Sequence, residues 1–324
     1  RISVTDRCNL RCRYCMPEPN YAWLPRGDLL DFAELRTLTA AFQSLGVSQI
    51  RLTGGEPLLR RDLPRLVEML AGLEQRDLAM TTNGALLAEH AAALRGAGLQ
   101  RVTVSLDSLD AATFRRLTGR GDLAAVLAGI DAAVRHFPTP KLNCVVMRGS
   151  NDAEIPDLIA FGREHGVEVR FIEYMDVGGA TEWSRATVVP RAEILNRVAG
   201  AFGAIEPVVR RDAAPADRWR LADGTVFGVI ASTTAPFCGS CDRSRLTADG
   251  TWYRCLYARE GLDLRGLLRG GASLEDLRQA IASAWRVRAD RGAEERAALG
   301  NRGVLADRAA LQADPRLEMH TRGG

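Results

Sequence analysis

The first half of the chain alternates short apolar runs with longer stretches of helical period. The runs Ile2–Thr5, Gln49–Thr53, Leu78–Thr82, Arg101–Leu106, Lys141–Met147 and Val167–Glu173 are predicted strands. Between them Phe32, Leu35, Leu38, Phe42 and Leu45 recur at steps of three and four, the stripe of a helix that buries one face. Asp31 and Glu34 form a capping box at its start. Further stripes follow at Leu66, Leu70 and Leu73, and at Leu86, Leu94 and Ala97. Two more run through Val126, Ile130 and Val134, and through Ile155, Leu158 and Ile159. Strand–helix units in series predict a parallel sheet with right-handed crossovers, an α/β partial (β/α)6 TIM-like barrel. Such a fold carries its site at the carboxyl ends of its strands.

The pattern changes after residue 176, which sets the expected division into 1–176 and 177–324. Ile194 to Phe202 reads as a helix and Ala213 to Asp217 as a linker. Arg218–Leu221 and Thr225–Ile230 flank the turn Ala222-Asp223-Gly224, and Asp249-Gly250 joins Arg245–Thr247 to Thr251–Leu256. These hairpins predict a small β-rich extension laid over the barrel. A helix follows with Leu274, Leu277, Ile281 and Trp285 on one face and Ser273 as its cap. Beyond Asp290 the chain is rich in Arg, Ala and Gly, and order there is expected only through docking.

Composition narrows the class. The 324 residues are 46% hydrophobic and 26% charged, ordinary values for a globular protein with a large core. A formal charge of +3 is too mild to imply general nucleic-acid binding. No apolar run of about 18 residues occurs and no signal-peptide pattern opens the chain, so a cytoplasmic location without membrane partners is expected. Of 43 basic residues only Lys141 is a lysine, weak support for a site that needs a compact point charge.

Cysteine placement carries the chemistry. Cys8, Cys12 and Cys15 crowd one polar loop, and Cys238, Cys241 and Cys255 form a second set across the predicted Asp249-Gly250 turn. Cys144, alone in an apolar run, reads as a core thiol. An odd count in two tight sets argues against a disulfide framework and for metal ligation. Zinc would want a fourth ligand, and the nearest histidine to the first set is His90. An iron–sulfur cubane tolerates three thiolates and leaves one iron open. For the second set a three-cysteine zinc site remains an alternative, but two open-iron clusters fit the paired triplets better. Arg243 and Arg245 alternate along an extended segment beside the second set, so both forks face one side, suited to phosphate or nucleobase acceptors. At the strand ends stand Thr53-Gly54-Gly55-Glu56-Pro57, Thr81-Thr82-Asn83-Gly84 and Ser105-Leu106-Asp107. The paired glycines let backbone approach a ligand closely.

The Cys-x3-Cys-x2-Cys loop resembles the cluster loop of the radical S-adenosylmethionine enzymes. The Gly-Gly-Glu-Pro turn resembles the motif by which that family holds the methionine end of its cofactor. The resemblance implies that Tyr14, Gly55, Ser105 and Met175 line the S-adenosylmethionine pocket. Cys-x2-Cys-x-Arg-x-Arg with a third Cys fourteen residues on, together with Ser3-Val4-Thr5-Asp6-Arg7-Cys8-Asn9, Arg170 to Asp176 and terminal Gly323-Gly324, resembles the GTP 3',8-cyclase family. That family's chemistry implies two 4Fe-4S clusters bound by Cys8, Cys12, Cys15 and by Cys238, Cys241, Cys255. It implies a deoxyadenosyl radical that takes hydrogen from the ribose C3' of GTP, after which the sugar carbon joins C8 of guanine. Arg1, Arg51, Thr81, Lys141, Arg243, Ser244 and Arg245 would contact GTP, with guanine on the second cluster's open iron. Arg170 would stand near the ribose in a supporting catalytic role, and the terminal glycines would reach into the active site. A flavodoxin- or ferredoxin-type reductant and a cyclic pyranopterin monophosphate synthase are the implied partners, with monomer and homodimer both open. Two positions depart from the family pattern. Gln49 stands where lysine is frequent, and Arg322 stands where the residue before the glycines is usually apolar. A radical enzyme that modifies peptides is the rival within the superfamily. A zinc-holding RNA- or protein-interaction module is the rival outside it.

Overall fold

The computed structural model describes residues 1–73, 77–209 and 213–323. Six strands, β1 (Ile2–Ser3), β2 (Gln49–Thr53), β3 (Asp77–Thr82), β4 (Arg101–Ser105), β5 (Lys141–Val146) and β6 (Glu168–Glu173), run parallel in chain order. Helices cross between them: α1 (Phe32–Gln43), α2 (Leu63–Ala71), α3 (Leu87–Gly96), α4 (Ala111–Thr118), α5 (Leu123–His136) and α6 (Ile155–Glu164). This is the expected partial barrel. Asp31 and Glu34 close the capping box on α1, each side chain accepting the other's backbone N–H at 2.8 Å.

Two helical stripes turn by about one residue from the expected faces. In α3 the buried positions are Leu87, Ala91 and Leu94, and in α5 Ala133 is buried while Val134 is 41% exposed. The cause is close approach. A Cβ on Gly129 would meet the Gly84 carbonyl oxygen at 2.2 Å and the Leu87 Cβ at 3.3 Å, so the smallest side chains face the contact.

The second half departs further from expectation. After α7 (Arg191–Phe202) come β7 (Ile205–Val208), β8 (Asp217–Leu221) and β9 (Val226–Ile230), then β10 (Arg245–Leu246), β11 (Thr251–Tyr253) and β12 (Leu262–Asp263). These strands do not lie over the barrel as a separate layer. They continue its sheet on both sides, in the order β12-β11-β10-β1-β2-β3-β4-β5-β6-β9-β8-β7. β10 pairs parallel with β1, and β9 pairs parallel with β6. An edge strand leaves a row of backbone donors and acceptors unpaired, and the hairpins satisfy both rows. β7 escaped the sequence reading because Pro207 interrupts it, yet the outermost strand is where proline costs no ladder bond.

Helices α8 (Leu264–Arg269), α9 (Leu274–Arg286), α10 (Gly292–Ala297), α11 (Arg308–Ala313) and α12 (Met319–Arg322) complete the chain. Ser273 caps α9 as expected, its hydroxyl accepting from Asp276 N at 3.2 Å. The Arg-rich tail is tied down through Asp176, which is fully buried. Its carboxylate accepts from Arg302 Nη2 at 2.7 Å, Arg296 Nε at 2.8 Å and the Tyr257 hydroxyl at 2.9 Å.

Candidate active site

The first cysteine loop leaves β1 and is stitched to the end of α4. Arg11 N donates to Thr118 O at 2.8 Å and Arg13 N to Leu117 O at 2.9 Å. Cys15 N and Met16 N both donate to Cys12 O, at 2.9 and 2.7 Å, which folds the loop back on itself. The strand-end glycines grip the same loop. Gly55 N donates to Thr5 O at 2.9 Å and Glu56 N to Arg7 O at 2.7 Å. A Cβ on Gly55 would meet the Arg7 carbonyl oxygen at 2.3 Å, so the contact admits only glycine. Glu56 joins this turn to the next strand end, accepting from Thr82 Oγ1 at 2.8 Å and Asn83 N at 2.7 Å. Its burial pushes the carboxyl up to about 7 against the pull of those bonds. Burial likewise pushes the Cys8 thiol up to about 11 and raises Cys12 and Cys15. Three desolvated thiols are poor free thiolates, and a bound metal is what would deprotonate them.

The second triplet sits on the turn Cys238–Ser240, on Cys241, and just past β11. Burial opposes ionisation of Cys241, but the Arg243 charge and the 3.4 Å bond from Arg243 Nη2 outweigh it and lower the thiol. Arg288 Nη1 holds the Cys241 carbonyl at 2.6 Å. Gly292, opening α10, lets the backbone lie against the Cys255 turn, since a Cβ there would meet the Tyr257 Cβ at 2.4 Å.

All six cysteines line one cavity of about 300 Å³, bounded also by Tyr14, Gly55, Ser105, Met175, Arg1, Thr81, Arg243 and Arg245. Residues 230 positions apart in sequence thus face a single chamber. Arg51, Lys141, Arg170 and Ser244 do not line it. The first three sit on the same strand faces two residues before Thr53, Asn143 and Ile172, which do. They form a cationic layer beneath the floor. Arg51 Nη1 donates to Thr81 Oγ1 at 3.0 Å and Thr103 Oγ1 at 3.2 Å, and Arg170 Nε pairs with Glu168 Oε1 at 2.6 Å. Burial, then the Arg170 charge, pushes the Lys141 ammonium down to about 8. The Ser244 carbonyl accepts from the Arg1 backbone nitrogen at 2.9 Å, holding Arg1 beside Arg245.

The tail reaches this chamber in a way the sequence did not announce. Met319 and His320 of α12 line it, and the His320 amide donates to the Cys15 sulfur. Among the described residues neither ring nitrogen of His320 has a hydrogen-bond partner, Nδ1 standing 3.9 Å from Glu318 Oε2. Burial, followed by the charges of Arg11 and Arg7, pushes the imidazole down to about 3. The Gly323 carbonyl accepts from Arg245 Nη1 at 2.5 Å, while Gly324 lies outside the described residues. His320 was missed by motif reading, while Glu56 and Asp107 were named only as parts of strand-end turns, without a role of their own. Their common signal is a buried polar group, which only a fold reveals.

Among the described residues no three His, Cys, Asp or Glu side chains gather around a single metal-ion position. A cubane makes a different demand, because each thiolate binds its own iron. Each triplet brings three soft sulfurs to the lining of one chamber, the donor set that such a cluster would use.

Comparison with known proteins places this architecture. Residues 2–162 match the Radical SAM superfamily and residues 167–294 match Molybdenum Cofactor Synthesis C. Methylornithine synthase, a solved structure, superposes with a TM-score of 0.50 at 14% identity over 62% of this chain and 61% of its own, a likeness of fold alone. The class defined is therefore a radical S-adenosylmethionine, iron–sulfur-dependent enzyme. GTP 3',8-cyclase 1 of Mycobacterium tuberculosis is 53% identical over 100% of this chain and 92% of its own length. GTP 3',8-cyclase of Xanthomonas axonopodis pv. citri is 46% identical over 94% and 92%. The chain belongs to the GTP 3',8-cyclase family. No helix among the described residues is long and apolar enough to cross a membrane.

Proposed function

We propose that this chain converts GTP to (8S)-3',8-cyclo-7,8-dihydroguanosine 5'-triphosphate, the first step of molybdenum cofactor biosynthesis. The observation that carries the reading is the shared chamber, lined by two cysteine triplets together with Arg243 and Arg245. Cys8, Cys12 and Cys15 would hold one 4Fe-4S cluster, and Cys238, Cys241 and Cys255 the other. Bound clusters and S-adenosylmethionine supply the one-electron and hydrogen-abstraction chemistry, which no side chain here can perform.

The chain's own residues bind, orient and exclude water. Tyr14, Gly55, Ser105 and Met175 line the chamber that also holds the first triplet, and in this reading they would receive S-adenosylmethionine. Arg243 and Arg245 offer forked donors beside the second triplet, the place for guanine. Arg1 and Thr81 at the floor, with Arg51 and Lys141 beneath, oppose the triphosphate charge. Arg170, held by Glu168, supports the ribose from the layer below. Holding both reactants in a dry chamber fixes the reacting carbon against its hydrogen acceptor. Gln49, exposed at the start of β2, leaves the cationic layer one charge short of the family's frequent pattern.

In this reading 1–176 forms the radical-generating unit and 177–324 the nucleotide-seating unit. A flavodoxin- or ferredoxin-type protein supplies electrons in the cytoplasm, and a cyclic pyranopterin monophosphate synthase takes the product. Anaerobic protein given reductant, GTP and S-adenosylmethionine should yield the cyclised nucleotide together with 5'-deoxyadenosine. If protein containing both clusters makes neither product, the proposal fails.

A further inference from the structure

Arg322, one residue inside the tail, is 2% exposed and among the largest fully buried side chains. Its Nε donates to Arg316 O at 2.6 Å, and its Nη1 donates to Leu256 O and Ala258 O, both at 2.7 Å. The guanidinium carbon stands 4.1 Å from the centroid of the Tyr253 ring. A guanidinium leaves water only where acceptors and a ring face replace it. Here three carbonyls serve Nε and Nη1 and one aromatic faces the group, while Nη2 is buried without a hydrogen-bond partner among the described residues. Leu256 follows Cys255 directly, and Ala258 lies three residues beyond it. The two Nη1 bonds therefore clamp the turn that carries the third sulfur of the second triplet.

The next residue extends the chain of contacts. Gly323 takes φ +75°, and a Cβ there would meet Thr53 Cγ2 at 2.3 Å. Its carbonyl accepts from Arg245 Nη1 at 2.5 Å, placing an acceptor on a buried cation crowded by Arg243 and Arg322. One side chain thus fixes both the Cys255 turn and the acceptor that orients Arg245.

We propose that Arg322 is a positioning residue: it clamps the Cys255 turn to the tail and so presents the Gly323 carbonyl to Arg245, setting the geometry in which the nucleotide is received. The nucleotide clause rests on the proposed GTP reading, whereas the clamp does not. An ammonium reaches one carbonyl and cannot stack while spanning the others, so lysine replaces the clamp only in part.

The test uses anaerobic full-length protein carrying its clusters, and reads hydrogen exchange by mass spectrometry alongside calorimetric ligand binding. In Arg322→Met, peptides covering 253–260 and 314–323 should exchange at least about tenfold faster, with β2 to β5 unchanged. GTP affinity should fall about tenfold or more, with S-adenosylmethionine affinity within about twofold of wild type. Arg322→Lys should lie between. Wild-type protection of both segments in Arg322→Met overturns the clamp, and if that variant does not fold, wild-type protection in Arg322→Lys does so. A wild-type chain that binds no GTP overturns the functional reading instead, and the exchange result still decides the clamp.

Discussion

The Tyr14 hydroxyl donates to Asp107 Oδ2 at 2.7 Å, joining the first cysteine loop to the end of β4. The other Asp107 oxygen accepts from Val145 N at 2.9 Å, so one buried carboxyl ties the loop to two strands. Burial pushes that carboxyl up to about 6, opposed by both bonds. Tyr14→Phe removes one of the two donors and should destabilise the metal-free protein by about 1–3 kcal/mol. Urea denaturation under anaerobic, reducing conditions checks this, and an unchanged midpoint would show that the bond contributes nothing.

Metal content should divide with the cysteines. Wild type should hold about eight irons with matching acid-labile sulfide, as two cubanes require. Cys8→Ala and Cys238→Ala should each lose about four and keep the other cluster's spectrum. Zinc in place of iron in anaerobically prepared wild type would count for the interaction-module alternative.

Gly55→Ala should damage the cofactor pocket through the backbone. The added Cβ lies 2.3 Å from the Arg7 carbonyl oxygen, so the strand-end turn must move away from the cysteine loop. We expect a loss of about 1–3 kcal/mol in stability and a loss of S-adenosylmethionine binding by calorimetry. Retained wild-type affinity would mean that the turn does not shape that pocket.

Lys141 gives a pH signature. Its folded pKa, lowered to about 8 by burial and then by Arg170, lies below the ordinary lysine value of about 10.4. Between those values the unfolded chain binds more protons, so this group's contribution to stability rises with pH across the window. Its penalty is fully present below pH 8. Lys141→Met should therefore be more stable than wild type at pH 7 without ligand, with the difference shrinking toward pH 10. GTP binding should take up protons near pH 8 to 9 in wild type and not in the variant, measured by calorimetry in buffers of different ionisation enthalpy.

Asp176→Asn should be among the most destabilising single changes. Burial alone would raise the Asp176 carboxyl, but Arg302, Arg296 and Tyr257 more than offset it and hold it below its ordinary value. The pairing therefore contributes stability above the unfolded pKa of about 3.9 and loses it as pH falls through the folded value. Asparagine leaves the Arg302 guanidinium, 4% exposed, without its counter-charge, at a cost of about 3–5 kcal/mol. The variant should show a flatter acid limb in thermal unfolding and a tail more open to protease beyond residue 290.

The parallel strands were legible because their apolar runs are short, β-branched and separated by full helical stripes, and each observed boundary falls within two residues of its expectation. The cysteine triplets were legible because spacing on a loop survives any detail of packing. What stayed hidden depends on contacts distant in sequence. The faces of α3 and α5 turn on one glycine contact, and the edge pairing of β9 and β10 turns on which strand rows the barrel leaves open. The cation layer had its members named, yet its depth below the chamber floor follows from strand register. His320 carries no motif at all, and its place beside Cys15 exists only because the tail folds back across the barrel mouth.

The continuous sheet has a further consequence for how this polypeptide must be made. A fragment stopping at residue 176 would leave β1 and β6 as two bare rims, each with an unmet row of amides ready to pair with a neighbouring copy. A fragment holding only the later hairpins would lack the strands they align against. In this chain each half relies on the other to cover its sheet rims, and a split version should clump before it folds. The barrel and its flanking hairpins act as a single cooperative body.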